Sequence, residues 1–340
     1  MMNEASLLCW SKRQGNLRMI DLPNPSAPSR ALILAAFAAV YTIWGSTYLA
    51  IRFAVEVLPP FLMAGTRFLI AGLILYLWAR IGGAPRPDLA QWKSAAIVGL
   101  LLIVVGNGLI SWSEQRIPSG LAALLAATVP FWMVMLDWMR PRGAAPSSRV
   151  VLGLIIGFVG VALLFQPWRS PEVGKFNLLG AAMVMVAAFS WATGSLYSVR
   201  AKLPSSPILS MGMEMLSGGM IALVVGMLRG EPATMEVSTI TARSLLALTY
   251  LILFGSLVGF NAYMWLLRVC APAWVSTYAF VNPVVAVFLG WALGGEPLTA
   301  RTLMGASFIV VSMFFITFCN ARNGSFTELV RDRKKKDEIA

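Results

Sequence analysis

Between Ala31 and Asn320 the apolar residues gather into ten runs, divided by short polar or basic stretches. The runs cover about 31–54, 60–79, 93–114, 118–139 and 148–166, then 177–199, 207–228, 243–267, 273–293 and 300–320. A helix rising 1.5 Å per residue needs roughly 20 residues to cross a hydrocarbon core of about 30 Å, and these runs match that length. The alternating pattern of a transmembrane barrel is absent, and a helix satisfies every backbone N–H and C=O within its own segment. The pattern predicts an all-α polytopic membrane protein with ten transmembrane helices, the architecture of a transporter.

Composition agrees with that reading. Hydrophobic residues make up 58% of the chain and charged residues 12%, about half the charged share of a soluble protein. No stretch outside the runs is long enough for a soluble domain. One membrane unit in two halves is expected, residues 31–166 and 177–320, with a tail at 1–30 and a basic tail at 321–340.

A formal net charge of +12 raises nucleic acid as a partner, but the placement of the cations argues for a lipid bilayer instead. With the N-terminus inside, 19 Lys and Arg fall on the cytoplasmic side, 7 on the other, and Arg67 within a run. The inner set includes Lys12, Arg13, Arg18 and Arg30, then Arg80, Arg86 and Lys93, then Arg140, Arg142 and Arg149. The positive-inside rule then puts both termini in the cytoplasm of a bacterial inner membrane. The terminal run Arg331, Arg333, Lys334, Lys335 and Lys336 is read as attracted to anionic headgroups rather than to RNA.

No apolar h-region precedes the first run, so the first helix is expected to serve as an uncleaved signal. Met1 and Met19 both stand as candidate start sites. Cys9, Cys270 and Cys319 are scattered, and histidine is absent, so no metal site, cofactor or disulfide framework is expected. Proton coupling without histidine has to run through carboxylates.

The halves echo one another. Gly45, Ser46 and Tyr48 match Gly194, Ser195 and Tyr197, and Pro60, Gly65 and Gly72 match Pro207, Gly212 and Gly219. Gly106, Trp112, Pro130 and Trp138 recur 153 positions later as Gly259, Trp265, Pro283 and Trp291. Five runs per half is an odd number, so the second half enters the membrane inverted. Inverted repeats hold a solute site at the midplane between them and expose it alternately by rocking.

The segments WGSTYLAIRF at 44–53, PPFLMAGTRFLIAG at 59–72 and NPVVAVFLGWALGGEPLT at 282–299 make the chain resemble the drug/metabolite transporter superfamily in its EamA-like branch of bacterial inner-membrane exporters. The resemblance covers nearly all of 31–320 and implies ten helices, a central cavity and export of small metabolites. One departure is visible: Gly295, Glu296 and Pro297 follow the ninth run, where the first half has Arg140, Pro141, Arg142 and Gly143.

Candidate residues follow from the cost of polar groups in lipid. Arg67 and Glu214 share a repeat position, each about seven residues into its run, and are candidates for coupling or gating against structural roles in snorkelling or packing. Pro130 and Pro283 lie mid-run, where proline frees the carbonyl four residues back and kinks the helix; those carbonyls belong to Ala126 and Ala279. The cavity shortlist is Trp44, Ser46, Tyr48, Asn107, Trp191, Ser195, Tyr197, Asn261, Tyr263, Tyr278 and Asn282, with Trp112 and Trp265 equally suited to an interfacial belt.

Gly153 with Gly157, Gly255 with Gly259, and Gly290 with Gly294 read as helix-packing pairs, within one chain or between chains, which leaves the oligomeric state open. Asp137, Glu114 and Arg116, near run ends, are expected to be solvated surface or gate residues. Nothing resembles a phosphate-binding loop, a nucleophile elbow or a metal-ligand cluster, so no ATP-driven step and no enzyme activity are expected. The leading expectation is a secondary transporter exporting an amino acid or related amphipathic compound. A cation or multidrug exporter, a lipid-linked-precursor flippase and a lipid-modifying enzyme are the alternatives.

Overall fold

Residues 29–139, 148–165, 177–270, 275 and 278–321 are described by the computed structural model. Among them lie ten long helices and no strand. We number them α1 (Arg30–Val55), α2 (Pro60–Ile81), α3 (Leu89–Glu114), α4 (Ser119–Ala126 continued by Val129–Trp138) and α5 (Ser148–Phe165). The second half holds α6 (Leu178–Ser198), α7 (Pro207–Leu228), α8 (Ala242–Tyr250, Leu251–Phe260 and Asn261–Val269 end to end), α9 (Tyr278–Gly294) and α10 (Ala300–Ala321). Seven of them, α1–α4 and α6–α8, are long and apolar enough to cross a membrane; α9 and α10 contain the shorter apolar helices Val281–Gly294 and Thr302–Ser312. Residues 1–28 and 322–340 of the tails, with Cys9 and the terminal basic run, lie outside the described residues, as do Arg140, Arg142 and the Asp137 side chain.

Helix starts follow the local chemistry. Ser29, Asp88, Asn177, Ser206 and Thr241 each accept a hydrogen bond from a backbone N–H of the first turn they precede, which satisfies one orphan donor per helix. α2 and α4 are different. Their N-caps are Pro59 and Pro118, which supply no side-chain acceptor.

Two glycine-rich seams join the halves. On α2 and α7, a Cβ on Gly65 would meet Leu223 N at 2.8 Å, on Gly72 Leu216 N at 2.6 Å, on Gly212 Tyr76 N at 2.7 Å, and on Gly219 Leu69 N at 2.6 Å. Early α2 thus meets late α7 and the reverse, so these repeat partners run antiparallel, as inverted copies require. α5 and α10 pair in the same sense, with Gly160 against Gly305 O and Ser312 Oγ donating to Gly153 O at 2.6 Å. Small residues let the backbones close up where lipid gives no hydrophobic drive between helices.

The outward faces remain apolar. Leu73, Leu77 and Trp78 on α2 and Met220, Val224 and Met227 on α7 are exposed, as lipid contact demands. Inward, Trp44, Phe68, Leu102, Met215, Phe260 and Tyr263 belong to one buried cluster drawn from both halves.

Candidate functional site

Three helices depart from regular α geometry where they approach the centre. Val40–Trp44 in α1, Leu100–Gly108 in α3 and Leu251–Phe260 in α8 are π-helical, a wider turn that recurs at functional sites. The last two contain the repeat partners Gly106 and Gly259. Each glycine receives a tryptophan: a Cβ on Gly259 would sit 2.7 Å from Trp44 Nε1, and one on Gly106 3.1 Å from Trp191 Cε3. The wide turn and missing side chain together admit an indole.

These elements border a cavity of about 90 Å³. From the first half it is lined by Trp44, Thr47, Tyr48, Ile51, Arg67, Phe68, Asn107, Ile110, Ala126 and Val129. From the second come Ala187, Ala188, Trp191, Gly255, Phe260, Tyr278 and Asn282. That volume holds several waters and is well below the roughly 300–1,000 Å³ of a drug-sized ligand pocket. A solute of more than a few heavy atoms needs more room than the cavity holds in this state.

Aromatic rings form one wall. Trp44 lies 4.8 Å from Tyr263, 5.3 Å from Tyr278 and 6.0 Å from Trp191 between ring centroids, the last two edge-on. Its Nε1 donates to Gly255 O at 3.3 Å, so the ring is pinned as well as packed. Tyr263 stands behind Tyr278 at 5.6 Å.

Polar groups are few. Arg67 is 4% exposed, its Nε donates to Ser256 Oγ at 2.8 Å, and its Cζ lies 4.6 Å from the Phe68 ring centroid. No carboxylate among the described residues pairs with it. Gly255 makes room for the guanidinium, since a Cβ there would meet Nη2 at 2.8 Å. Gly255 and Gly259 thus serve Arg67 and Trp44 rather than a backbone seam. Asn107 Nδ2 donates to Leu102 O at 3.2 Å, five residues back along the π turn. With its amide nitrogen toward the helix, Asn282 donates to Tyr278 O at 3.3 Å and Tyr41 O at 3.2 Å, which ties α9 to α1.

Of the shortlisted residues, Trp44, Tyr48, Asn107, Trp191, Tyr278 and Asn282 line the cavity, and Arg67 joins them. Ser46, Ser195, Tyr197, Asn261 and Tyr263 lie outside its lining. Ser46 instead shares a 2.6 Å hydrogen bond with the Tyr250 hydroxyl, tying α1 to α8, and Asn261 Nδ2 donates to Leu257 O on its own helix. Glu214 is buried away from the cavity and accepts from Ser210 Oγ at 3.0 Å. Pro283 lies inside α9. Pro130 follows the break at Ala127–Thr128, where Thr128 Oγ1 donates to Leu125 O at 2.7 Å.

One expectation is corrected. Glu114 is not solvated: it is 0% exposed, and neither carboxylate oxygen has a hydrogen-bond partner. The end of α3 is covered by α1, α4 and α6, so nearness to a run end did not mean nearness to water.

A partner of the Gly295-Glu296-Pro297 motif was also missed. Gly230-Glu231-Pro232 follows α7 as Gly295-Glu296-Pro297 follows α9, and both glycines have positive φ, 73° and 65°. Each carboxylate crosses to the first half. Glu231 accepts from Phe61 N at 3.3 Å and Leu62 N at 2.9 Å. Glu296 accepts from Ser119 N at 2.7 Å, Ser119 Oγ at 2.6 Å and Gly120 N at 3.1 Å. These are the starts of α2 and α4, the two helices with proline at N-cap, and a carboxylate there also meets the positive end of the helix dipole. The signal was the Gly-Glu-Pro triplet recurring within one half.

Comparison with known proteins fits this geometry. The model of the family described as "EamA-like transporter family" matches residues 30–166 and 178–318. The inner membrane transporter YedA of Escherichia coli K12 is 40% identical over 84% of this chain and 90% of its own length. The WAT1-related chloroplastic protein At3g02690 of Arabidopsis thaliana is 25% identical over 82% of this chain and 67% of its own, and PecM of Dickeya dadantii 26% identical over 81% and 88%. A crystal structure 18% identical in sequence superimposes with a TM-score of 0.59, covering 85% of this chain and 98% of that one.

Proposed function

Since the chain belongs to the EamA-like transporter family, we propose that it is a secondary exporter of small amphipathic carboxylates, amino acids or their relatives, working by alternating access. Arg67 carries the reading: a buried guanidinium with one hydroxyl partner, facing an aromatic cavity shared by both halves. A buried cation is costly unless paired, and a substrate carboxylate supplies the missing charge. Asn107 and Asn282 offer amides to the rest of the solute, while Trp44, Trp191 and Tyr278 cover its apolar part.

A cavity of about 90 Å³ is too small for a lipid-linked precursor and disfavours the flippase reading. An aromatic box suits a cation by itself, but Arg67 within it repels one. The charge distribution of the loops supports an inner-membrane orientation with both termini in the cytoplasm, so that the end of the bundle bearing Glu231 and Glu296 faces outward. Net export against a gradient draws on the proton gradient through a buried carboxylate. Glu214, packed beside the contact of α7 with Gly99 of α3, gates rather than binds.

The test is counterflow of labelled amino acids, nucleosides, sugars and a cationic drug in proteoliposomes without ATP, with and without a pH gradient. Carboxylate-bearing amphipaths are expected to exchange. Arg67→Gln loses a charge-assisted bond, which weakens their apparent affinity about 10- to 100-fold, whereas Arg67→Lys keeps part of it. Preferential exchange of the cationic drug, undiminished in Arg67→Gln, would overturn the assignment.

A further inference from the structure

We propose that Glu114 is the proton-binding group of this transporter and that its neutral form holds closed the end of the bundle where Glu296 caps α4. The inference deepens the proton-driven export proposed above and rests on that reading.

The observation behind it is a buried carboxylate without a partner. Glu114 is the last residue of α3, fully buried, and both its oxygens lack a hydrogen bond, as does the neighbouring Ser113 Oγ. What the fold supplies there is aimed elsewhere. Arg52 on α1, the adjacent cation, donates Nη1 to the Glu114 backbone carbonyl. Glu296, the adjacent anion, takes three hydrogen bonds from Ser119 and Gly120.

Arg52, Glu296 and Tyr48 are the charged and titratable groups that act on Glu114 or feel it. The described parts of α4, and α6 up to Tyr197, contain no ionisable side chain near it, and α2 offers Arg67, bound instead to Ser256. A carboxylate in that setting is cut off from water and faces a second carboxylate, against which stands only Arg52, whose guanidinium is bound to the backbone carbonyl. As a neutral acid it fits. Of the two carboxylates, only Glu296 holds hydrogen bonds from the protein.

Closure and proton binding are thereby linked. Tyr48 lines the cavity one helical turn before Arg52, so an opening of the cavity toward the opposite side lets the Glu114 proton leave there. Arg52 then turns from the carbonyl to the new carboxylate, and Glu296 and the start of α4 part from the end of α3. A proton bound from this newly opened side restores the neutral acid and the closed end. Each cycle then carries one proton inward against one solute outward.

The test reads opening without needing the substrate. Ile110, which lines the cavity one turn before Glu114, is replaced by Cys in a chain whose Cys9, Cys270 and Cys319 are Ala. A membrane-impermeant trimethylammonium methanethiosulfonate is applied to right-side-out vesicles between about pH 5 and 8. Thiol ionisation alone raises the rate with pH, so the readout is the rate relative to the same protein carrying Glu114→Gln.

That ratio is expected to climb about tenfold across the range, with Glu114→Gln slow throughout and Glu114→Asp restoring a pH-dependent profile that also certifies folding. A ratio that stays flat, or Glu114→Asp behaving as Glu114→Gln, overturns the proposal. If the climbing ratio is found only in inside-out vesicles, Glu114 keeps its role and the outward orientation proposed above fails by itself. A climbing ratio in a protein that exchanges no carboxylate likewise leaves Glu114 in place and removes only the substrate assignment.

Discussion

Replacing Gly72 by Ala tests whether the α2–α7 seam is a backbone-to-backbone contact. The added methyl would lie 2.6 Å from Leu216 N, 2.9 Å from Met215 Cβ and 3.0 Å from Gly212 O. Carbon packs comfortably at about 3.5–4.0 Å, so the helices have to separate by roughly 1 Å at that level. Overpacking of this kind costs about 1–3 kcal/mol. Gly212→Ala pushes at the same crossing, its methyl 2.7 Å from Tyr76 N and 3.2 Å from Gly72 O. One displacement relieves both clashes, so the double substitution is expected to cost less than the summed singles by about 0.5–1.5 kcal/mol. The assay is SDS-driven unfolding of the purified protein, followed by tryptophan fluorescence, with the lipid-facing Leu77→Ala as a control within about 0.5 kcal/mol of the parent. A parental midpoint for Gly72→Ala, or strict additivity in the pair, refutes a shared close crossing.

Two further substitutions probe the links between halves. Glu231→Ala leaves Phe61 N and Leu62 N without their acceptor and is expected to cost about 1–3 kcal/mol, with hydrogen exchange rising in the first turn of α2; Glu231→Gln keeps one acceptor and loses less. Unchanged exchange there would mean that the cap is idle. Ser46→Ala and Tyr250→Phe each remove the 2.6 Å bond between α1 and α8 at about 1 kcal/mol, and a double-mutant cycle should return a coupling of about 0.5–1.5 kcal/mol. A coupling of zero would show the two hydroxyls to be neighbours only.

What the sequence disclosed depended on whether a residue's role was local or crossed between halves. Helix positions were legible because the length of an apolar run is set by the bilayer: Pro60 and Pro207 open α2 and α7 as expected. The glycines matched between those helices proved to be the seam, because antiparallel copies set each glycine against the counterpart of the other, Gly65 against Gly219 and Gly72 against Gly212. Side-chain direction was not legible. Ser46 and Tyr48 are two residues apart on a regular α-helical turn, so they point to opposite sides of α1 and only Tyr48 reaches the cavity. Gly255 and Gly259 were read as packing because a small-xxx-small pair carries no mark distinguishing a neighbouring backbone from a neighbouring Arg67 or Trp44. Glu114 was misplaced because solvation near a helix end depends on what covers that end.

The Gly-Glu-Pro caps break the symmetry that the rest of the fold displays. α2 and α7 are repeat partners that begin at opposite ends of the bundle, yet the start of α2 is capped by Glu231 from the other half, whereas α7 is capped by its own Ser206, which accepts from Leu209 N at 3.4 Å. Opening the α2 end therefore strips buried N–H donors of a charged acceptor, a cost of about 1–3 kcal/mol for a buried donor left bare. Opening at the α7 end leaves its cap in place, because donor and acceptor travel together. The start of α4 is likewise capped from the other half, by Glu296. Two halves alike in helix order and seam thus confer unequal opening costs on the two ends of one cavity, with the end bearing Glu231, Glu296 and Glu114 the harder to open. In the export cycle proposed above, with that end outward, the inequality keeps the cavity closed to the outside until it is loaded, which moves solute without leaking it back.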